Sequence, residues 1–198
     1  MNIKFYDILL TLLKPFVYIT GQIGLPHHKI TGAHYFKYRD SINIGDVFLT
    51  KSSWELSNIT NPCKFKHGAF YVGNIFGDEI KYVFESTAEG AVLTNLVDFL
   101  LSKDIVVICE LKRGRVILKE EIQNMALKYK GIPYDYLFSK TGRSMYCFEL
   151  VAVCLLNSFP ELKLRSKEII KGKEIYSTET FLDEELFTIK IDSRKDNF

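Results

Sequence analysis

Hydrophobic and polar positions change their period several times along the chain, and each change marks an element. Residues 5–20 are apolar except at Asp7 and Lys14, and Pro15 interrupts them, which predicts a helix kinked or ended near that proline. From 21 to 44 the pattern breaks up among Gly21, Gly24, Pro26 and Gly32, and a loop is expected. The middle of the chain then runs in short apolar bursts bounded by glycine. Residues 45–50, 67–73, 80–85 and 90–93 read as strands, with 74–79 a hairpin connection and 104–111 a strongly apolar strand. Residues 52–58, which carry Trp54, read as a short helix or loop, and 96–101 as a helical turn. In 119–130 Ile122, Met125, Ala126 and Tyr129 recur at helical spacing, and Gly131-Ile132-Pro133 ends that helix before an aromatic bend at 134–138. Further on, 163–173 reads as a basic solvated face, 178–184 as polar and helical, and 186–192 as a closing strand. Strands gathered in the middle, with helices before and after, argue for an α+β fold.

One stretch breaks the pattern in a chemically useful way. Residues 146–156 read as a helix apolar nearly all round, with Glu149 as the one charge, and such a helix is buried on all sides. Cys147 falls at its first turn, just after the polar run 139–144. The first N–H groups of a helix have no partner within it and the dipole is positive there, so both favour a thiolate. Glu149 is expected to reach back to an N–H of the first turn, and the Cys147 N–H to serve as an oxyanion donor. Cys154, two turns on and ~10 Å deeper, reads as core, and Cys63 and Cys109 as structural or incidental.

A cysteine nucleophile needs a base, and the base needs an orienting partner. His27, His28 and His34 fall in the expected loop at loose spacing with no carboxylate close by, so they read as solvated histidines, and no metal site or cofactor is expected. Only His67 sits on a strand, where a sheet could aim it. Alone it would be an ordinary strand-end histidine. Glu85 ends the following strand and, in a simple antiparallel register, would lie opposite His67; Asp46 and Ser86 are the rivals.

Composition narrows the class. The chain's 198 residues are 47% hydrophobic, enough for a full core in one domain. A net charge of +2, from 26 basic and 24 acidic residues, is too balanced to argue for nucleic acid. Four cysteines without a CxxC pair suggest reduced thiols and a cytoplasmic setting. The apolar segment 5–20 is shorter than the roughly 20 residues of a membrane span, and no small-residue cleavage site follows it. It is expected to pack on the core, with peripheral membrane contact as the alternative.

Several strings, taken in order, resemble a known group. They are Gly45-Asp46-Val47-Phe48-Leu49-Thr50, His67-Gly68-Ala69-Phe70-Tyr71-Val72-Gly73, Val83-Phe84-Glu85-Ser86-Thr87 with Gly90-Ala91-Val92, Gly131-Ile132-Pro133-Tyr134, and Tyr146-Cys147-Phe148-Glu149-Leu150-Val151. Together they resemble the circularly permuted papain-like superfamily, the NlpC-type group in its YiiX-like branch, which includes poxviral proteins. The resemblance covers about residues 45–157, and the segment 171–175 and the last strand look similar to the poxviral members. It implies a catalytic domain over 45–198 with residues 1–44 as an extension, and a central antiparallel sheet or small barrel against the cysteine helix. It also implies Cys147 as nucleophile, His67 as base and Glu85 as the third polar residue. Phe148 stands where many bacterial relatives carry serine, which loosens any transfer of substrate. The expected activity is that of a thiol hydrolase or acyltransferase on an amide or ester bond in a peptide or lipid-like substrate, with Trp54, Tyr134 and Tyr146 as substrate contacts. The alternatives are a non-catalytic lipid- or peptide-binding module and a membrane-associated scaffold.

Overall fold

Among the described residues, six strands form one sheet in the order β4-β3-β2-β1-β5-β8, every neighbouring pair antiparallel. They are β1 (Val47–Lys51), β2 (His67–Gly73), β3 (Tyr82–Thr87), β4 (Gly90–Asn95), β5 (Ile105–Leu111) and β8 (Phe187–Asp192). The computed structural model describes residues 29–52, 64–112, 119–139, 141–166, 168–170 and 172–196. The expected helix at 5–20, His27, His28, Trp54 and Cys63 lie outside these residues. Among the described helices none is long and apolar enough to cross a membrane.

The central strands are buried on both faces, which is why they read as apolar runs rather than as clean alternation. Val47, Leu49, Phe70, Val72, Phe84 and Val107 face a core closed by α3 (Lys119–Tyr129) and α4 (Cys147–Ser158). Phe48, Ala69, Tyr71, Val83, Val106 and Ile108 face a second core, closed by α1 (Gly32–Tyr38) and α2 (Leu96–Leu101) through Tyr38, Leu96, Phe99 and Leu100. In α4, Cys147 through Ala152, Cys154 and Leu155 are buried, as its uniform apolarity predicts. The α+β class holds, and most strand and helix bounds fall within two residues of their expected places.

Two segments differ from expectation. The loop expected through residue 44 contains α1, whose start is held by the Thr31 N–H donating to His34 Nδ1 at 3.1 Å. His34 is buried within it rather than solvated. Short-range capping outweighed the glycine-rich look of that stretch. The basic run near 163–173 includes the strands β6 (Glu168–Ile170) and β7 (Lys173–Ile175), turned by Gly172 at φ +76°. The chain then makes the single turn α5 (Thr178–Phe181) before β8.

Candidate active site

The ladder between β2 and β3 starts at Ala69–Glu85 and does not extend back to Gly68. Beyond that pair the strands part, and the chain leading into α4 enters the gap. Ser86 Oγ donates to the Met145 carbonyl at 2.7 Å, and the Met145 N–H donates to the Pro133 carbonyl at 2.9 Å. Residues 131–133 are tied to β4 in turn, by Ala91 N–H to Ile132 O at 2.9 Å and Gly131 N–H to Ala91 O at 2.8 Å. That approach requires Gly90, where a Cβ would sit 2.6 Å from the Ile132 carbonyl oxygen. The result places Tyr134 beside Cys147 at the start of α4, and the two side chains are hydrogen-bonded.

His67 opens β2 with its side chain 17% exposed. Its Nε2 lies 2.7 Å from Glu85 Oε2, and the Cys147 sulfur is a hydrogen-bonding neighbour of the ring. Glu85 pairs with Ala69, not with His67, so the expected register is off by two residues. A shift of two keeps the side chain on the same face of the sheet, so Glu85 meets His67 diagonally. Its second oxygen, Oε1, accepts from Thr94 Oγ1 at 2.5 Å. The ring of Phe99 lies 6.4 Å from the imidazole, with Lys103 Nζ 4.9 Å from that same Phe99 ring.

These contacts set the charges. Burial opposes the imidazolium, but the bonds to Cys147 and Glu85 outweigh it and raise His67 to about 9. Burial likewise works against the Glu85 carboxylate; the His67 bond and charge, with help from Lys103 and Thr94, hold it down at about 2. Cys147 is 3% exposed. Burial alone would raise its pKa, yet the His67 bond and charge and the N–H groups of Gly68 and Phe148 turn the net shift downward. Cys154 shows what burial does without such partners, since it is pushed up to about 12, and Cys109, buried with Asp46 and Asp192 acting on it as well, is pushed up to about 12 too. Tyr134 stays a neutral phenol, held well above its usual range by burial and by the adjacent sulfur. A thiolate–imidazolium pair is the state this arrangement favours.

The structure therefore brings together Cys147, His67, Glu85 and Tyr134. The expected rivals lie elsewhere: Asp46 pairs with Lys190 at 2.9 Å, and Ser86 is committed to Met145. Tyr146, expected to meet substrate, is turned inward at 1% exposure, and its hydroxyl accepts the Tyr176 N–H at 2.8 Å. Thr94 and Gly68 were not singled out from the sequence. The signal for Thr94 was available, since strand alternation puts it two residues from Val92, the cross-strand partner of Glu85. A cavity of about 330 Å³ lies apart from all of these, lined by Lys29, His34, Asp104, Arg194 and Asp196 among others.

A sequence model described as the permuted papain-like amidase enzyme, YaeF/YiiX, C92 family, matches residues 41–186. The chain belongs to that family. At the level of the family this makes it a cysteine hydrolase of the amidase type. Protein OPG091 of Monkeypox virus is 28% identical over 146 residues, spanning 71% of this chain and 79% of its own length. Its counterpart in Vaccinia virus (strain Copenhagen) is 29% identical over the same extent. The solved structure of YiiX from Escherichia coli O157:H7, described as a metalloprotein, matches with a TM-score of 0.62 at 20% identity and covers 76% of this chain and 97% of its own. That likeness shows a shared fold. Among the described residues of the present chain, no group of three or more His, Cys, Asp or Glu side chains is placed to hold a metal ion.

Replacing Glu85 with glutamine tests the electrostatic part of this picture within the permuted papain-like amidase frame. Glu85 is lowered on folding, so its contribution to stability is present above about 4.5 and is lost as pH falls toward about 2. His67 is raised, so its contribution is full below 6.5 and is lost as pH rises through about 9. The melting-temperature deficit of Glu85→Gln relative to wild type is therefore expected to be greatest between about pH 4.5 and 6.5 and to shrink on either side. Thermal melts across pH check this; a deficit that is flat with pH contradicts it.

Proposed function

We propose that the chain is a thiol hydrolase or acyltransferase that opens an amide or ester bond through an acyl-enzyme on Cys147. The observation that carries this reading is the His67 ring, bonded at Nε2 to Glu85 and neighbouring the Cys147 sulfur. In the proposed sequence the thiolate attacks the carbonyl carbon and the C=O electron pair moves onto oxygen. As that pair returns, the bond to nitrogen or oxygen breaks and His67 gives its proton to the leaving group. A water molecule, or another acceptor, then gives up a proton to His67 and attacks the thioester, and Cys147 leaves as thiolate. Glu85 keeps the imidazole in one orientation and supports its charge. The Cys147 N–H at the start of α4 is the proposed oxyanion donor, with the neutral Tyr134 hydroxyl close enough to the sulfur to assist.

The family description favours an amide as the bond opened. The substrate is proposed to be a small peptide, an amide or a lipid-like acyl compound, met by Tyr134 and Trp54. Residues 5–20 are proposed to make any peripheral membrane contact. The test is intact-protein mass spectrometry after brief exposure to activated peptide amides and to short-chain and long-chain acyl esters. A mass increase equal to the acyl group, mapped to Cys147 and absent in Cys147→Ala, supports the reading. An unmodified Cys147 together with a ligand that co-purifies intact contradicts it and leaves a binding module.

A further inference from the structure

The segment between β7 and α5 touches both halves of the site. Thr178 lies at 0% exposure, and its hydroxyl donates to the Phe65 carbonyl at 3.0 Å while accepting the Phe65 N–H at 3.3 Å. Phe65 stands two residues before His67. Two residues upstream of Thr178, the Tyr176 N–H donates to the Tyr146 hydroxyl at 2.8 Å, and Tyr146 stands one residue before Cys147. One turn of chain therefore grips the approach to the base and the approach to the nucleophile. It continues into Phe181, whose ring stacks on Phe148 at 6.0 Å between centroids. Phe148 in turn lies against Gly68, the residue after His67.

The segment is itself anchored. The Ser177 N–H donates to Thr180 Oγ1 at 3.1 Å, Ser177 Oγ accepts the Glu179 N–H at 3.3 Å, and Thr180 Oγ1 donates to the Arg165 carbonyl at 3.1 Å. Ser177, Thr178 and Thr180 are all buried. Three buried hydroxyl-bearing residues within four positions are costly unless each is bonded, and here each is. A run of apolar residues would fill the same space, so the hydroxyls serve placement rather than burial.

We propose that residues 176–178 are a brace that fixes the separation of Cys147 and His67, with Thr178 and Tyr146 as its two positioning residues. This rests on the proposed thiolate–imidazolium site. Cys147 and His67 lie 80 residues apart in the chain, on α4 and on the end of β2 where the ladder to β3 has stopped. A brace that binds both gives them one reference frame, and an error of about 1 Å in such a pair costs on the order of a hundredfold in rate. The groups facing the sulfur and the imidazole are His67, Glu85, Tyr134 and the N–H groups of Gly68 and Phe148, with Lys103 acting on Glu85 and the phenols of Tyr136 and Tyr146 acting on Tyr134 and the sulfur. Changing Thr178 removes none of them, and the Tyr146 phenol, which Tyr146→Phe deletes, is neutral, with its hydroxyl turned to the Tyr176 N–H.

The experiment is the pH dependence of Cys147 alkylation by iodoacetamide, read by peptide mapping, in full-length wild type, Thr178→Val, Thr178→Ser, Tyr146→Phe and the Thr178→Val/Tyr146→Phe pair. Thr178→Val and Tyr146→Phe are expected to move the acid limb up by about one pH unit, an approximately tenfold loss of labelling below it, with the alkaline rate unchanged. Thr178→Ser restores the wild-type limb. The double variant shifts no further than the larger single, because either end released frees the segment. Wild-type limbs in folded Thr178→Val and Tyr146→Phe, with only melting temperatures reduced, overturn the brace alone. A wild-type protein that itself labels like an ordinary thiol overturns the catalytic reading and the brace with it. If Thr178→Val fails to fold, Tyr146→Phe, which deletes a single oxygen, decides the matter by the same two outcomes.

Discussion

Replacing His67 with alanine is expected to return Cys147 to the behaviour of a common buried thiol and to cut its alkylation at pH 6 by about a hundredfold or more. The reason lies in the balance of opposing effects at the sulfur. Burial disfavours the thiolate, and the His67 bond and charge are the largest counterweight, ahead of the N–H groups of Gly68 and Phe148. Remove the imidazole and the two N–H groups remain, but they do not offset burial; Cys109 and Cys154, buried without a cationic partner, are pushed up to about 12. With a thiol pKa at or above the usual ~8.5, less than about one per cent is ionised at pH 6. The loss should fade as pH rises past 9, so the ratio of wild-type to His67→Ala rates falls with pH. Stopped alkylation followed by peptide mapping measures it. Equal rates at pH 6 would mean that His67 does not govern the sulfur.

Gly68→Ala is expected to damage the site nearly as much, without touching any ionisable group. A Cβ at this position would lie 2.5 Å from Phe148 Cδ1 and 2.8 Å from Cε1. The Phe148 ring is 2% exposed and stacked on Phe181, so it has no room to retreat. The start of α4 must move instead, and with it Cys147, away from both the imidazole and the Gly68 N–H. Overpacking of this kind costs about 1–3 kcal/mol of stability. Displacing the sulfur by about 1 Å costs on the order of a hundredfold in labelling at neutral pH. Adding Phe148→Ala should restore a good part of the labelling by removing the clashing ring, a coupling that two independent lesions would not show. Circular dichroism melts and Cys147 alkylation of the two single variants and the double check both halves.

Much of this was legible in the residues. The uniform apolarity of α4 announced a buried helix, and a cysteine at its first turn announced the one thiol worth singling out. His67 stood out because the other histidines fell where no strand could hold them. Glu85 was reached by pairing neighbouring strands; the register was wrong by two residues, and the period of a strand forgave the error because two residues return a side chain to the same face. A slip of one would have sent Glu85 into the opposite core. What the sequence hid was non-local. The Tyr146 hydroxyl meets Tyr176 across 30 residues, and Thr178 meets Phe65 across 113. No local pattern encodes such partners, so Tyr146 read as a substrate contact when its ring is buried and its hydroxyl taken. Residues 31–38 failed for the opposite reason, because a purely local bond between Thr31 and His34 started a helix that the surrounding glycines disguised.

The central claim is that Cys147 and His67 share a charge separation at neutral pH. Its most direct test is the alkylation rate of Cys147 in the unmodified full-length chain, followed by peptide mapping from acid to alkaline pH beside Cys109 and Cys154 as internal references. The account predicts an acid limb for Cys147 below that of an ordinary thiol, with Cys109 and Cys154 inert until the protein unfolds. A Cys147 limb at or above the ~8.5 of an ordinary thiol would contradict it.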